Sequence, residues 1–315
     1  MRLRVLLEAR YGATWEQLNQ YALATEEAGF DAFFRSDHFL SIGFETRLRP
    51  TDSWTTLAGL ALTTSRVRLG TLMTAATFRY PAQLAVEVAT VDAMSGGRVE
   101  LGLGAAWMEP EHQYFGIPFP SLRDRFDRFE EQLIIINGLW TTPAGERFSF
   151  AGQHYQLDDC PTFPLTGHEQ PGTAGIRPRP RIIIGGGGPR RTPSLAARFA
   201  DEFNTGFFSE TWSERWAYVR RLAAENGRDP AAIRLSTIVA VCCGTTQAEA
   251  QGRAEFVGEA GEYLLRSGVV GTPRDVLDRL GELARAGFDT VYFHLFDGAD
   301  TDHIRLLGQE VVPHV

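Results

Sequence analysis

The sequence predicts an α/β fold, a TIM-type (β/α)8 barrel with insertion segments at its C-terminal face. Three observations predict it. Short apolar runs alternate with amphipathic helical patterns along almost all of the 315 residues, as repeated βα units require. Eight such runs can be counted, the number that closes a barrel. A doubly wound sheet would have fewer strands and a glycine-rich turn after the first, where this chain has Ala9-Arg10-Tyr11. Residues 1–315 are read as one domain, because such barrels exceed the roughly 150 residues of an average domain.

The first strand is Leu3–Glu8. T-W-E-Q at Thr14 is a capping box that starts a helix, and Gly29 stops it. Phe30–Arg35 is the second strand, and Asp52 or Ser53 caps a helix with Leu57, Leu60 and Ala61 on one face. Val67–Met73 is the third strand. Pro81 opens the next helix and Gly96-Gly97 closes it, leading to strand four, Val99–Leu103. Leu122, Phe126, Phe129, Leu133, Ile136 and Trp140 then recur every three or four residues, marking a long helix with one buried stripe. RFSFAGQHYQL (147–157) reads as a small hairpin. Five prolines without periodicity lie between Cys160 and Pro180, so an insertion is expected over about 141–180. Arg181–Ile184, Glu202–Thr205, Ile233–Val241 and Thr290–Phe296 are strands five to eight. Helices between them start at Thr192-Pro193, at a second capping box (T-W-S-E, Thr211) and at T-P-R-D (Thr272), the last ending at Gly287.

Composition bounds the function. With 43% hydrophobic residues the chain can bury a large core. Its 31 basic residues, all arginine, face 39 acidic ones, a net charge of −8. Nucleic-acid and anionic-membrane surfaces carry a basic surplus, so neither partner is expected. Without lysine there is no Schiff-base catalysis. Cys160, Cys242 and Cys243 form no C-x-x-C motif, and a vicinal pair is no disulfide framework. No leader-like segment follows Met1 and no apolar run approaches the ~18 residues of a membrane span. A cytoplasmic protein is expected.

Barrel chemistry sits at the C-terminal ends of the strands. That rule selects Glu8, Asp37 with His38, Met73–Thr77, Gly104–His112, Gly185–Arg191, Asn204 and His294. Glu8 ends an apolar strand, where a carboxylate is costly to bury without a partner. His38 is the residue type of acid–base chemistry. Glu109 and His112, in W-M-E-P-E-H, either join it or belong to a solvated loop. His294 faces away from Phe293 and Leu295, toward the barrel mouth or a satisfied core position. No H-x-H or further His/Asp cluster ends another strand, so no metal site is expected. Gly185–Gly188 joins a strand to a helix start beside Arg190 and Arg191. Glycines let backbone amides turn inward, and a helix N-terminus favours negative charge, which points to an anion site, read as phosphate. Leu101–Ala106 offers small residues at another strand end, where a flat ring could approach the backbone. The residues alone reach a barrel that binds a flat, phosphorylated ligand.

The same residues carry a resemblance. GFDAFFRSDHFL (29–40), the block 52–112 with its S-G-G-R-V-E-L-G-L-G, RFDRFEEQLIIINGLW (125–140), IIIGGGGPRRTPSLAARFADEFN (182–204), GRDP (227–230) and GTPRDVLDRL (271–280) together resemble the bacterial luciferase-like monooxygenase superfamily, in particular its deazaflavin-dependent oxidoreductases. The resemblance implies coenzyme F420, or alternatively FMN, at the barrel mouth. It implies hydride transfer between C5 of the deazaflavin and a small organic substrate, and a homodimer. A non-proline cis peptide is implied in a bulge after strand three, at Leu72, Met73 and Thr74. Asp37 and His38 would approach the ring. Gly104, Ala105, Ala106 and Trp107, and Gly185, Gly186, Gly187 and Gly188 with Arg191 and Thr192, would hold ring or phosphate. His38 would be the catalytic acid or base, with Glu8 or Glu109 beside it. Where the family's sugar-phosphate dehydrogenase has a catalytic glutamate this chain has Trp107, and the basic residues for the sugar phosphate are not recognisable, so that oxidation is not expected. An FMN-dependent monooxygenase is the alternative activity, and a non-catalytic flavin-binding protein a third reading.

Overall fold

The computed structural model describes residues 1–9, 12–40, 50–162, 179–207 and 211–315, with the backbone alone for 258–264. The chain begins with β1 (Arg2–Leu7). The T-W-E-Q box forms: Thr14 Oγ1 accepts from the Gln17 N–H at 3.3 Å, and the Gln17 side chain accepts from the Thr14 N–H at 2.9 Å, starting α1 (Trp15–Glu27). After β2 (Ala32–Arg35), Asp52 caps α2 (Ser53–Thr63) by accepting from the Thr55 N–H at 2.7 Å. β3 (Arg68–Ala75) leads to α3 (Pro81–Ser95), with proline at its start and Gly96 as a left-handed cap. β4 (Val99–Gly104) is followed by a short helix the sequence does not announce, α4 (Glu109–Tyr114), and by the long α5 (Leu122–Thr141). The expected hairpin is β5 (Arg147–Ala151) against β6 (Gln156–Pro161). The proline-rich part of the expected insertion, 163–178, lies outside the described residues.

The second half continues with β7 (Arg181–Gly185), α6 (Arg191–Phe199), β8 (Glu202–Phe207), α7 (Trp212–Glu225), β9 (Arg234–Cys243) and α8 (Gln247–Leu265). Then come β10 (Val269–Gly271), α9 (Pro273–Arg285), β11 (Thr290–Leu295) and α10 (Thr301–Glu310). The T-W-S-E box is a correction: Thr211 makes no side-chain cap bond to α7. The T-P-R-D box does form, with the Thr272 N–H donating to Asp275 at 2.7 Å.

Eight parallel strands close a ring in the order β1-β2-β3-β4-β7-β8-β9-β11, with β11 returning to β1. β10 pairs only with the far end of β9, at Val241–Cys243, beyond the stretch that β11 uses, so it leaves the ring intact. Side chains alternate across each strand. Val5 and Leu7 pack outward against the helices, together with Leu101, Leu103, Ile182, Ile184 and Val291. Leu6, Phe34, Leu72, Ile183 and Tyr292 form a separate apolar layer inside the ring. Below it, toward the strand starts, Arg4 is buried with Nε 2.8 Å from Asp31, and Nη1 2.7 Å from Glu100 and 2.8 Å from the Tyr292 hydroxyl. Burial opposes the Glu100 charge, but Arg4, Arg68 and Arg181 outweigh it and hold its carboxyl well below the usual range. These two layers fill the N-terminal end of the barrel, so a cavity can open only at the other end. Among the described residues no helix is long and apolar enough to cross a membrane.

Candidate active site

A cavity of about 490 Å³ lies at the C-terminal ends of the strands. One wall comes from β3, β4 and β7. The β3–β4 pairing shifts register between Thr71 and Thr74, and the Leu72–Met73 peptide within that bulge is cis. Hydroxyls hold the bulge: Trp54 Nε1 donates to Thr74 Oγ1 at 3.2 Å, Thr74 to Thr71 at 3.0 Å, and Thr71 to the Gly102 carbonyl at 3.1 Å. After β4, Ala106 adopts a left-handed φ of 67°, and its carbonyl accepts from Arg125 at 3.0 Å. After β7, a Cβ on Gly185 would lie 2.7 Å from the Asn204 carbonyl oxygen and 2.4 Å from Met73 Cε, so only glycine allows this approach. Gly186 has φ 136°, and its carbonyl accepts from buried Arg215 at 2.7 Å. A trans peptide points its N–H opposite to its C=O, so the Gly187 N–H is turned away from Arg215.

His38 stands at the mouth after β2. Its Nδ1 lies 2.9 Å from Glu111 Oε2, while Glu111 Oε1 accepts from the N–H groups of Leu40, at 2.8 Å, and Phe39. Burial works against the Glu111 charge. The hydrogen bond and charge of His38 and the two backbone N–H groups overcome it and hold the carboxyl below its ordinary pKa. A carboxylate only accepts, so Nδ1 carries a proton in either state of the ring, and in the neutral imidazole Nε2 is left as an acceptor. Trp107, 60% exposed, covers His38 edge-on with ring centroids 5.5 Å apart. On the far side, Glu8 Oε1 lies 2.9 Å from His294 Nε2, and Ser36 Oγ donates to Glu8 Oε2 at 3.0 Å.

Of the residues to which the resemblance gave a role, Glu8, His38, Leu72, Met73, Thr74, Gly104, Ala105, Ala106, Trp107, Gly185–Gly188 and Thr192 line this cavity. Three others do not. Asp37, next to His38, points the other way and pairs with Arg79 at 2.6 Å and with the Ser53 hydroxyl at 2.6 Å. Arg191 is drawn off the glycine run by α5, with Nη2 2.6 Å from Asp127. Glu109 is exposed on the first turn of α4. Glu111, inside the selected stretch Gly104–His112 but given no role from the sequence, takes the inward place. The one available signal was the E-P-E spacing, once that segment is a helix rather than a loop. His112 also lines the wall, but both its nitrogens are engaged, by Thr77 Oγ1 at 2.7 Å and the Met108 carbonyl at 2.7 Å. Outside the cavity, Asp124, Asp127 and His154 bring ligand-type atoms within 4.8 Å of one another, although Asp127 is already paired with Arg191.

The chain has relatives of known type. The F420-dependent glucose-6-phosphate dehydrogenase of Amycolatopsis mediterranei is 32% identical over 235 residues, 72% of this chain and 65% of the relative. The protein of the same name from Nakamurella multipartita is 36% identical over 191 residues, 60% of this chain and 51% of the relative. The chain thus spans between 51% and 65% of the length of these two curated relatives. Among solved structures, monooxygenase RslO1 from Streptomyces bottropensis has a TM-score of 0.81 at 21% identity, covering 100% of this chain and 99% of the other. An F420-dependent secondary alcohol dehydrogenase, solved with an F420-acetone adduct, has a TM-score of 0.80 at 18% identity, covering 98% of each chain. These two likenesses show the shared fold. A luciferase-like monooxygenase family model matches residues 2–263, and the chain belongs to that family.

Proposed function

We propose that the chain is an F420-dependent oxidoreductase that moves a hydride between C5 of the deazaflavin and a small organic substrate at the barrel mouth. One observation carries the reading: a single cavity brings a wall of close-approach backbone against an imidazole with a free nitrogen. The wall fits a flat, tailed group. Gly185 lets β7 lie against Asn204 and Met73 where a Cβ would clash, the space before Gly187 is open, and the glycine run leads into the start of α6, where an anion is favoured. Leu72–Thr74 and Gly104–Ala106 would hold the ring, and Gly185–Gly188 with Thr192 the phosphate. The names of the curated relatives supply F420 as the identity of that group.

When bound, the deazaflavin supplies the hydride acceptor or donor, and the protein supplies position and proton handling. His38 Nε2 accepts or returns a proton while Glu111 fixes the other nitrogen. Asp37, Glu109 and Arg191, whose side chains turn elsewhere, are outside this machinery. The proposal includes a homodimer in the cytoplasm, the first part being checked by light scattering.

The test is a fluorescence titration with F420 and, separately, FMN. F420 affinity without FMN affinity is expected; FMN affinity alone would reverse the assignment. His38→Ala is expected to bind F420 and lose turnover.

A further inference from the structure

His294 projects from β11, which stands opposite β4 in the ring, four strands away in either direction. With Leu6 and Ile238, from the flanking strands β1 and β9, it lines the cavity. Its side chain is 3% exposed. Both oxygens of Glu8 are engaged as acceptors, one by His294 Nε2 at 2.9 Å and one by the Ser36 hydroxyl at 3.0 Å. With Glu8 as a carboxylate Nε2 carries a proton, and in the neutral imidazole Nδ1 keeps its lone pair. Nδ1 is buried and has no hydrogen-bond partner among the described residues. Such an atom needs an explanation in a folded protein. Phe207 and Phe296, with centroids 5.5 and 4.5 Å from the imidazole, shield it from bulk water.

The surroundings say what could satisfy it. Leu6, Ile238 and Phe207 are apolar, and the charged carboxyl groups lining the cavity are Glu8 and Glu111. Among the described residues no arginine lines it. An anionic substrate meets repulsion there. An uncharged molecule with an apolar body and a hydroxyl group does not.

We propose that His294, held by Glu8, is a catalytic base facing an uncharged alcohol whose hydroxyl donates to Nδ1. This rests on the oxidoreductase reading above. In the oxidative direction the carbinol C–H bond breaks and its electron pair leaves as hydride to the deazaflavin. The O–H bond breaks, its proton passes to Nδ1, and the C=O bond forms. The alcohol is oxidised and the deazaflavin reduced. The imidazolium so formed faces the Glu8 carboxylate. Reduction of the deazaflavin takes up one proton besides the hydride, which His38 would deliver as an imidazolium paired with Glu111; the proton held by His294 then leaves to solvent, so the hydride and proton lost by the alcohol balance those gained by the deazaflavin. In the reverse direction Nδ1–H returns its proton to the carbonyl oxygen.

Two measurements test this. In the first, the cofactor-free chain carrying isotope-labelled histidine is titrated by nitrogen NMR with cyclohexanol and, separately, with its methyl ether; His294→Gln assigns the signal. An unprotonated Nδ1 that shifts with the alcohol and not with the ether is expected. In the second, F420 affinity and F420 reduction by cyclohexanol and 2-butanol are compared in wild type and H294Q, which keeps a donor for Glu8. Unchanged affinity with turnover lower by about 100-fold or more is expected, the loss typical of a removed general base. A protonated Nδ1, or one that the alcohol leaves unmoved, overturns the proposal. So does an H294Q enzyme with near-wild-type turnover, or a wild type that binds F420 and oxidises neither alcohol. If the wild type fails to bind F420, the oxidoreductase reading falls instead, and the NMR measurement still decides on His294.

Discussion

Replacing Glu111 with glutamine isolates what one carboxylate contributes to the order of the barrel mouth. Three donors converge on it, from His38, Leu40 and Phe39, and they lie 71 to 73 positions away in sequence. The residue therefore ties the segment after β2 to α4. Glutamine keeps the shape and one acceptor oxygen, but places an NH₂ where the second oxygen accepted. Either a donor then loses its acceptor, or His38 must move its proton to Nε2 and accept from the new NH₂; in both cases the bonds to a charged acceptor are lost. A buried polar group left unpaired costs about 1–3 kcal/mol, and a bond to a charged acceptor is worth about 1.5–3 kcal/mol. The expected destabilisation at pH 7 is therefore about 2–4 kcal/mol. The pH dependence follows from the lowered folded pKa. The charge stabilises the fold above the unfolded value of about 4.3, and that contribution fades as pH falls through the lower folded value. Urea unfolding of wild type and E111Q at pH 7, and then at successively lower pH below 4, measures the gap. A gap under about 1 kcal/mol at neutral pH would be too small for the loss of a charged acceptor. That result, or a gap that persists in acid, would refute the reasoning.

Other perturbations test the rest of the barrel. Arg4→Met leaves Glu100 and Glu202 buried without their shared cation; a loss of about 3–5 kcal/mol is expected, and a melting temperature near that of wild type would show the ion network to be dispensable. Gly185→Ala sets a Cβ against the Asn204 carbonyl, which cannot swing aside as Met73 can. It should cost about 1–3 kcal/mol in urea unfolding and weaken F420 binding, and no change in either would place the wall elsewhere. Burial pushes the thiols of Cys242 and Cys243 up to about 12, whereas Cys160 sits half-buried on the hairpin. A thiol reagent at pH 8 should label one cysteine in the native chain and all three after denaturation. Rapid native labelling at the vicinal pair would contradict the packing of β9.

What the sequence made legible is what acts over a few residues. Thr14 with Gln17, Asp52 with Thr55 and Thr272 with Asp275 are each three positions apart, and each forms as its motif requires. Thr211 carries the same pattern, but at φ −89° and ψ 6° it lacks the extended backbone of a capping residue, and its hydroxyl makes no cap bond. Glu8 and His38 were legible because a polar group ending a barrel strand faces the mouth. Their partners were not. His294 is 286 positions from Glu8, and nothing in local spacing links the two. Asp37 was misplaced because neighbours on an extended backbone point to opposite sides; its partner Arg79 lies 42 positions on. Choosing Glu111 over Glu109 required the phase of a six-residue helix, which two glutamates flanking a proline do not fix.

The two ends of the barrel handle buried polarity in opposite ways, and the difference separates support from chemistry. At the strand starts Arg4 donates to Glu100 and to the Tyr292 hydroxyl, and Tyr292 in turn donates to Glu202 at 2.8 Å. Each of these groups is engaged by another, which ties β1, β4, β8 and β11 together at the strand starts. His112 follows the same logic at the mouth, with both nitrogens committed. His38 and His294 do not. Each gives one nitrogen to a buried carboxylate, which fixes the ring, and each keeps the other nitrogen for whatever enters the cavity. A half-committed imidazole can gain or lose a proton without disturbing the fold that positions it. The filled layers below and the two carboxylates beside these histidines thus serve one end: a proton can move at the mouth while the barrel stays still.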